Sequence, residues 1–102
     1  LPEYSEVSRF PAAIRDLAII VDHEVALQAL LDGLEKQREE LVQEIRLFDV
    51  YTGKGVAHGK KSLAFRIVMQ DTQRTLQDAE VDAAVQKLVA YLQDAFAAQL
   101  RV

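Results

Sequence analysis

The chain has 102 residues, half of them apolar, and a formal net charge of -4, enough for one domain with a modest core. It has no cysteine and two histidines, His23 and His58, which excludes disulfides and thiol chemistry and gives a metal centre little to be built from. No apolar run approaches the roughly 20 residues that span a bilayer, and no basic segment followed by an apolar one opens the chain, so a cytoplasmic setting without membrane attachment is expected.

The chain begins at Leu1 rather than Met, as expected of a domain cut from a longer protein. Residues 1–16 read as an extended lead-in: Pro2 and Pro11 oppose helix, while Phe10 and Ile14 are placed to anchor the segment on the core. The domain itself is expected over residues 17–102. Leu17 to Val21 is a short, partly β-branched apolar run and reads as a strand. Asp22 ends it and is a candidate helix cap. Leu27, Leu30, Leu31 and Leu34 then recur at helical spacing and form one apolar stripe.

From Leu41 to Thr52 the period changes to two, with Arg46, Phe48 and Val50 on one face and Leu47, Asp49 and Tyr51 on the other. A Gly- and Lys-rich turn, Gly53 to Lys61, leads into Ser62–Met69. There Leu63, Phe65, Ile67 and Met69 point one way, and Ser62, Ala64, Arg66 and Val68 the other. Thr75 and Asp78 have the spacing of a capping box. Val81, Val85, Leu88, Val89 and Leu92 form a second helical stripe, and Ala98 to Val102 can supply a last short strand.

The order strand, helix, strand, strand, helix, strand predicts an α+β ferredoxin-like plait: a four-stranded antiparallel sheet with two helices on one face. The other sheet face is left open. In this architecture an open face is a place to bind something, RNA bases among the possibilities, although a fold does not choose its ligand.

Charge is distributed unevenly. Arg46 to Arg74 holds six basic residues (Arg46, Lys54, Lys60, Lys61, Arg66, Arg74) against Asp49 and Asp71, so a segment of +4 sits in a chain whose remainder is -8. Within that segment Asp49 and Tyr51, two apart on a strand, project side by side. A tyrosine ring can stack on an unpaired base. A carboxylate only accepts hydrogen bonds, which suits the N1–H and N2–H2 edge of guanine, and Ser62 can donate or accept. Arg66 can meet phosphate or stack. The same side chains also suit an ordinary solvated sheet face.

Other motifs are weaker. The glycines and lysines around Gly53–Lys61 miss phosphate-loop spacing, since the first glycine would have to stand at Lys54, and they join two strands rather than open a helix. The turn is better read as a flexible, cationic hairpin tip. Arg15-Asp16 can be a local ion pair, an anchor of the lead-in or part of a binding rim. Arg101 can pair with an acid on a neighbouring strand. No nucleophile–base pair emerges, so catalysis by this chain alone is not expected.

Five segments occur in one order: Phe10-Pro11 with Arg15-Asp16-Leu17-Ala18, Phe48-Asp49-Val50-Tyr51 with Gly53, Gly59-Lys60-Lys61-Ser62-Leu63-Ala64-Phe65-Arg66, Arg74-Thr75-Leu76, and Leu100-Arg101. Together they resemble the ferredoxin-fold anticodon-binding domain family over about residues 8–101. The resemblance implies a non-catalytic RNA-binding domain that closes the β subunit of a phenylalanyl-tRNA synthetase and grips the anticodon stem-loop of phenylalanine tRNA. It implies that Tyr51 stacks on the first anticodon base, a guanine, that Asp49 and Ser62 hydrogen-bond it, and that Ala18 lines the site. Arg66, Lys60 and Lys61 would be backbone or rim contacts. No cofactor is implied for this domain. ATP and Mg²⁺ would serve a catalytic unit elsewhere in the parent enzyme, and the remaining β subunit and the α subunit would be partners. Gln77 stands where a Thr is more usual and Gln99 where smaller residues are frequent. The alternative from another class is a ferredoxin-like protein-interaction or small-molecule regulatory module.

Overall fold

The computed structural model describes residues 10–101. Its elements are β1 (Ala13–Asp22), α1 (Leu27–Gln37), β2 (Val42–Tyr51), β3 (Lys60–Met69), α2 (Asp78–Phe96) and β4 (Gln99–Leu100). The sheet order is β2-β3-β1-β4 and every pairing is antiparallel, the expected α+β ferredoxin-like plait. Ile19 and Val21 of β1 and Leu63, Phe65, Ile67 and Met69 of β3 meet Leu30 and Leu34 of α1 and Val81, Ala84, Leu88 and Leu92 of α2 in one buried cluster. These are the residues that period two on the strands and period 3.6 on the helices select.

Several local expectations are corrected. β1 starts at Ala13, inside the supposed lead-in, because the restriction imposed by Pro11 ends with its neighbours. Ile14 does not anchor the core. It pairs with Val68 on the open face and is 52% exposed. Residues 1–9 of the lead-in and Val102 of the last strand lie outside the described residues. Asp22 does not cap α1, whose N-cap is Ala26. Its carbonyl instead closes a turn onto the Val25 N–H, and its carboxylate pairs with Lys60.

The start of α2 is also set two residues later than the spacing of Thr75 and Asp78 suggested. Gln77 is the N-cap, and its backbone N–H donates to the Glu80 carboxylate at 3.2 Å. Arg74 grips that carboxylate through two bonds of 2.7 Å, so the ion pair fixes which acid closes the helix start. The Arg74 hydrogen bonds hold the Glu80 carboxyl below its ordinary value, helped by the Gln77 N–H.

The consequential correction is in β2. Its register against β3 shifts between Val42 and Glu44 and again between Leu47 and Asp49, the mark of two β-bulges. Leu47 lies opposite buried Phe65, whereas Asp49 lies opposite Ala64 and Tyr51 opposite Ser62. Leu47 therefore joins the core side, not the face of Asp49 and Tyr51. Phe48 stands in the bulge, with the Arg66 guanidinium 5.5 Å from its ring centre, and so lies on the open side.

Candidate nucleic-acid interface

The open face is built in rows across the sheet. One row runs Asp49, Ala64, Ala18, and the next Tyr51, Ser62, Ile20, Gln99. Two alanines side by side give a low floor that a flat group can approach closely. Tyr51 stands at one edge of this floor. Its hydroxyl donates to the Lys54 carbonyl at 2.8 Å, tying the ring to the hairpin turn. Gly53 adopts φ 132° there, and a Cβ at that position would stand 3.2 Å from the Tyr51 hydroxyl. The backbone angle favours glycine, and a side chain there would also press on the ring.

Asp49 is exposed and has no hydrogen-bond or ion-pair partner among the described residues, so both carboxylate oxygens are available as acceptors. Ser62 is 4% exposed and accepts a hydrogen bond from Arg101 Nη1 at 3.2 Å. Arg101 pairs with no acid among the described residues. Instead its backbone N–H donates to the Ala18 carbonyl at 2.9 Å, and its side chain crosses β1 to reach Ser62. Its guanidinium carbon also stands over Tyr51, 5.4 Å from the ring centre. Sequence reading missed this residue as part of the site. The available signal was the alternation from Gln99, which puts Arg101 on the open face beside small Ala18.

Ala18, Asp49, Tyr51 and Ser62 are thus brought together. Arg66 lies one row beyond, opposite Asp16 and Arg46, and clamps Asp16 with bonds of 2.9 and 3.0 Å. These bonds, and then the Arg66 charge, hold the Asp16 carboxyl below its ordinary value. Arg15 takes the opposite side and approaches Asp78 at 3.9 Å, so Arg15 and Asp16 are not paired with each other. Lys60 bonds Asp22 at 2.5 Å, one row beyond Ser62. Lys61 is not on this face. It lies opposite buried Val21, and its ammonium donates to the Val25 carbonyl at 2.7 Å, tying down the loop before α1.

The face therefore carries an aromatic ring with the Arg101 guanidinium over it, an unengaged carboxylate, a buried hydroxyl and a flat floor, groups that between them can stack, donate and accept. His23 and His58 line a separate depression at the hairpin end with Thr52, Gly53 and Lys60. Among the described residues no group of three or more His, Cys, Asp or Glu is placed to hold a metal, and no helix is long and apolar enough to cross a membrane.

Residues 8–101 match the family described as ferredoxin-fold anticodon binding domain. The chain is 68% identical over 101 residues to the phenylalanine–tRNA ligase beta subunit of Dechloromonas aromatica, covering 99% of this chain and 13% of that protein. The beta subunits of Nitrosospira multiformis and Aquifex aeolicus are similar at 48% and 44% identity, with the same coverage. The chain thus spans about 13% of the length of the curated relatives it matches. With a family match over residues 8–101 and the fold that family's description names, the chain belongs to the ferredoxin-fold anticodon-binding domain family.

Proposed function

We propose that this domain serves a phenylalanine–tRNA ligase β subunit by reading the first anticodon base of phenylalanine tRNA on its open sheet face. The observation that carries this is the convergence of Tyr51, Asp49, Ser62 and Ala18 on two adjacent rows, with the Asp49 carboxylate unengaged. The Tyr51 ring stacks on the base, a contact of about 1–3 kcal/mol. Asp49 accepts from N1–H and N2–H2 of guanine, an edge that adenine lacks. Ser62 supplies a further hydrogen bond, and the alanine floor lets the ring lie close to the sheet.

Arg66 and Lys60 act at the rim. Each is already neutralised by an aspartate, so they orient the RNA more than they attract it, and an acidic chain of net charge -4 leaves most of the phosphate attraction to the rest of the enzyme. Lys61 holds the fold rather than the RNA. The domain is non-catalytic. Chemistry with ATP and Mg²⁺ belongs to the remainder of the synthetase in the cytoplasm, where the α subunit and the rest of the β subunit would be its partners. Holding the anticodon here would present the acceptor end to that distant site.

A protein-docking role has one observation in its favour: Ile14 and Phe48 are 52% and 51% exposed on the same side of the sheet. Titration of a phenylalanine-tRNA anticodon stem-loop, with guanine or adenine at the first anticodon position, separates the two. Base reading predicts a guanine preference that Tyr51→Ala and Asp49→Ala weaken. Equal binding of both RNAs by all three proteins would favour docking.

A further inference from the structure

We propose that Arg101 is a positioning residue that fixes the hydrogen-bond polarity of Ser62, and so makes the site select a base with a carbonyl at purine position 6. The proposal rests on the anticodon reading above. A serine hydroxyl is ambiguous, because it can donate to the 6-oxo group of guanine or accept from the 6-amino group of adenine. Ser62 is 4% exposed, so bulk water is largely unavailable to it. Arg101 Nη1 donates to its oxygen at 3.2 Å, and a guanidinium has no acceptor with which to do otherwise. With a cation at that lone pair, accepting a second bond from an amino group is opposed and the hydroxyl hydrogen turns toward the floor. Ser62 becomes a donor.

Asp49 is the complementary half. It is a diagonal neighbour of Ser62 across the β2–β3 pairing and can only accept. An acceptor and an enforced donor side by side match the N1–H and O6 of a 6-oxopurine and oppose the N1 and 6-amino group of adenine. Arg101 is itself held in register. Its backbone bonds Ala18, its guanidinium stands over the Tyr51 ring at 5.4 Å, and a Cβ at Gly55 would stand 3.6 Å from Nη2, so the hairpin turn closes beside it. One arginine thus couples the stacking ring, the serine and the low floor.

The test uses anticodon stem-loops carrying guanine, inosine, adenine or 2-aminopurine at the first anticodon position. Guanine and inosine have the 6-oxo group; the other two lack it. Each is titrated against the wild-type chain, Arg101→Ala, Ser62→Ala and the double variant, with thermal melts confirming that each variant is folded. Wild type is expected to prefer guanine and inosine. Arg101→Ala should lose about tenfold for those two and less than twofold for adenine and 2-aminopurine. The double variant should be no weaker than either single, because both act through one hydroxyl. A uniform loss across all four bases would overturn the proposal, leaving Arg101 a general cation, and so would a uniform gain, which would mean that its guanidinium merely occupies the stacking position. Wild type that fails to distinguish the four bases would instead refute the anticodon reading, and this inference with it.

Discussion

Gly33 offers a sharp test of the helical layer. It lies in α1 and is buried, and a glycine inside a helix costs about 0.8–1 kcal/mol relative to alanine. Propensity alone therefore makes Gly33→Ala a stabilising substitution. The packing opposes it. A Cβ built at Gly33 would lie 2.0 Å from the Tyr91 hydroxyl oxygen and 2.8 and 2.9 Å from two ring carbons. Tyr91, on α2, is held edge-on against Phe96, with ring centres 6.0 Å apart and planes at 77°, so the ring cannot withdraw without losing that contact. Overpacking of this kind costs about 1–3 kcal/mol, which exceeds the propensity gain. Gly33→Ala should destabilise the chain by about 1 kcal/mol net, or about 4–8 °C in Tm for a domain of this size. Removing the obstacle reverses the sign: in a Tyr91→Ala background the same substitution should stabilise by about 1 kcal/mol. Urea unfolding of the four proteins, with midpoints compared at constant m-value, reads this directly. If Gly33→Ala stabilises both backgrounds equally, the close approach of α1 and α2 is refuted.

Acid should weaken the fold through two carboxylates. Asp16 and Glu80 are held below their ordinary values of 3.8 and 4.5 by hydrogen bonds from Arg66 and Arg74. A depressed folded value means stability that is present above the ordinary value and is lost as pH falls through the folded one. The Tm gap between wild type and Asp16→Asn/Glu80→Gln should therefore be full at pH 7 and shrink below about pH 4; a gap independent of pH would contradict this. Phe65→Ala, at a position 0% exposed, should cost about 3–5 kcal/mol in denaturant unfolding. Phe48→Ala, at 51% exposed, should cost under about 1 kcal/mol; a similar loss for both would mean that β2 is registered otherwise.

The plait itself was legible because its signals are local and periodic. The buried strand residues alternate and the buried helix residues recur at 3.6, so element order and core followed. The β2 face was not fully legible. Leu47 and Phe48 are consecutive and both apolar, so alternation cannot reveal that a bulge separates Leu47 from Asp49. Simple period two put Leu47 on the wrong side, and Arg46 and Phe48 with it, while still placing Asp49 and Tyr51 together. The start of α2 was ambiguous because Thr75/Asp78 and Gln77/Glu80 share one spacing, and only the Arg74 grip on Glu80 decides between them. Lys61 looked like a rim cation beside Lys60, but neighbours on a strand face opposite sides. Arg101 was invisible as a site residue because its contacts to Ser62 and Tyr51 join elements far apart in sequence, through a side chain long enough to cross a strand.

In the proposed reading of guanine on this sheet face, Asp49 accepts from the N1–H and N2–H2 edge. The most direct measurement is the ratio of affinities for anticodon stem-loops with guanine and adenine at the first anticodon position, for wild type and Asp49→Ala. Wild type should favour guanine by well over tenfold, and Asp49→Ala should cut that ratio by about tenfold by losing guanine affinity while adenine affinity stays within about twofold, the preference that remains resting on Ser62. A wild-type ratio of one, or a ratio unchanged by Asp49→Ala, would contradict it.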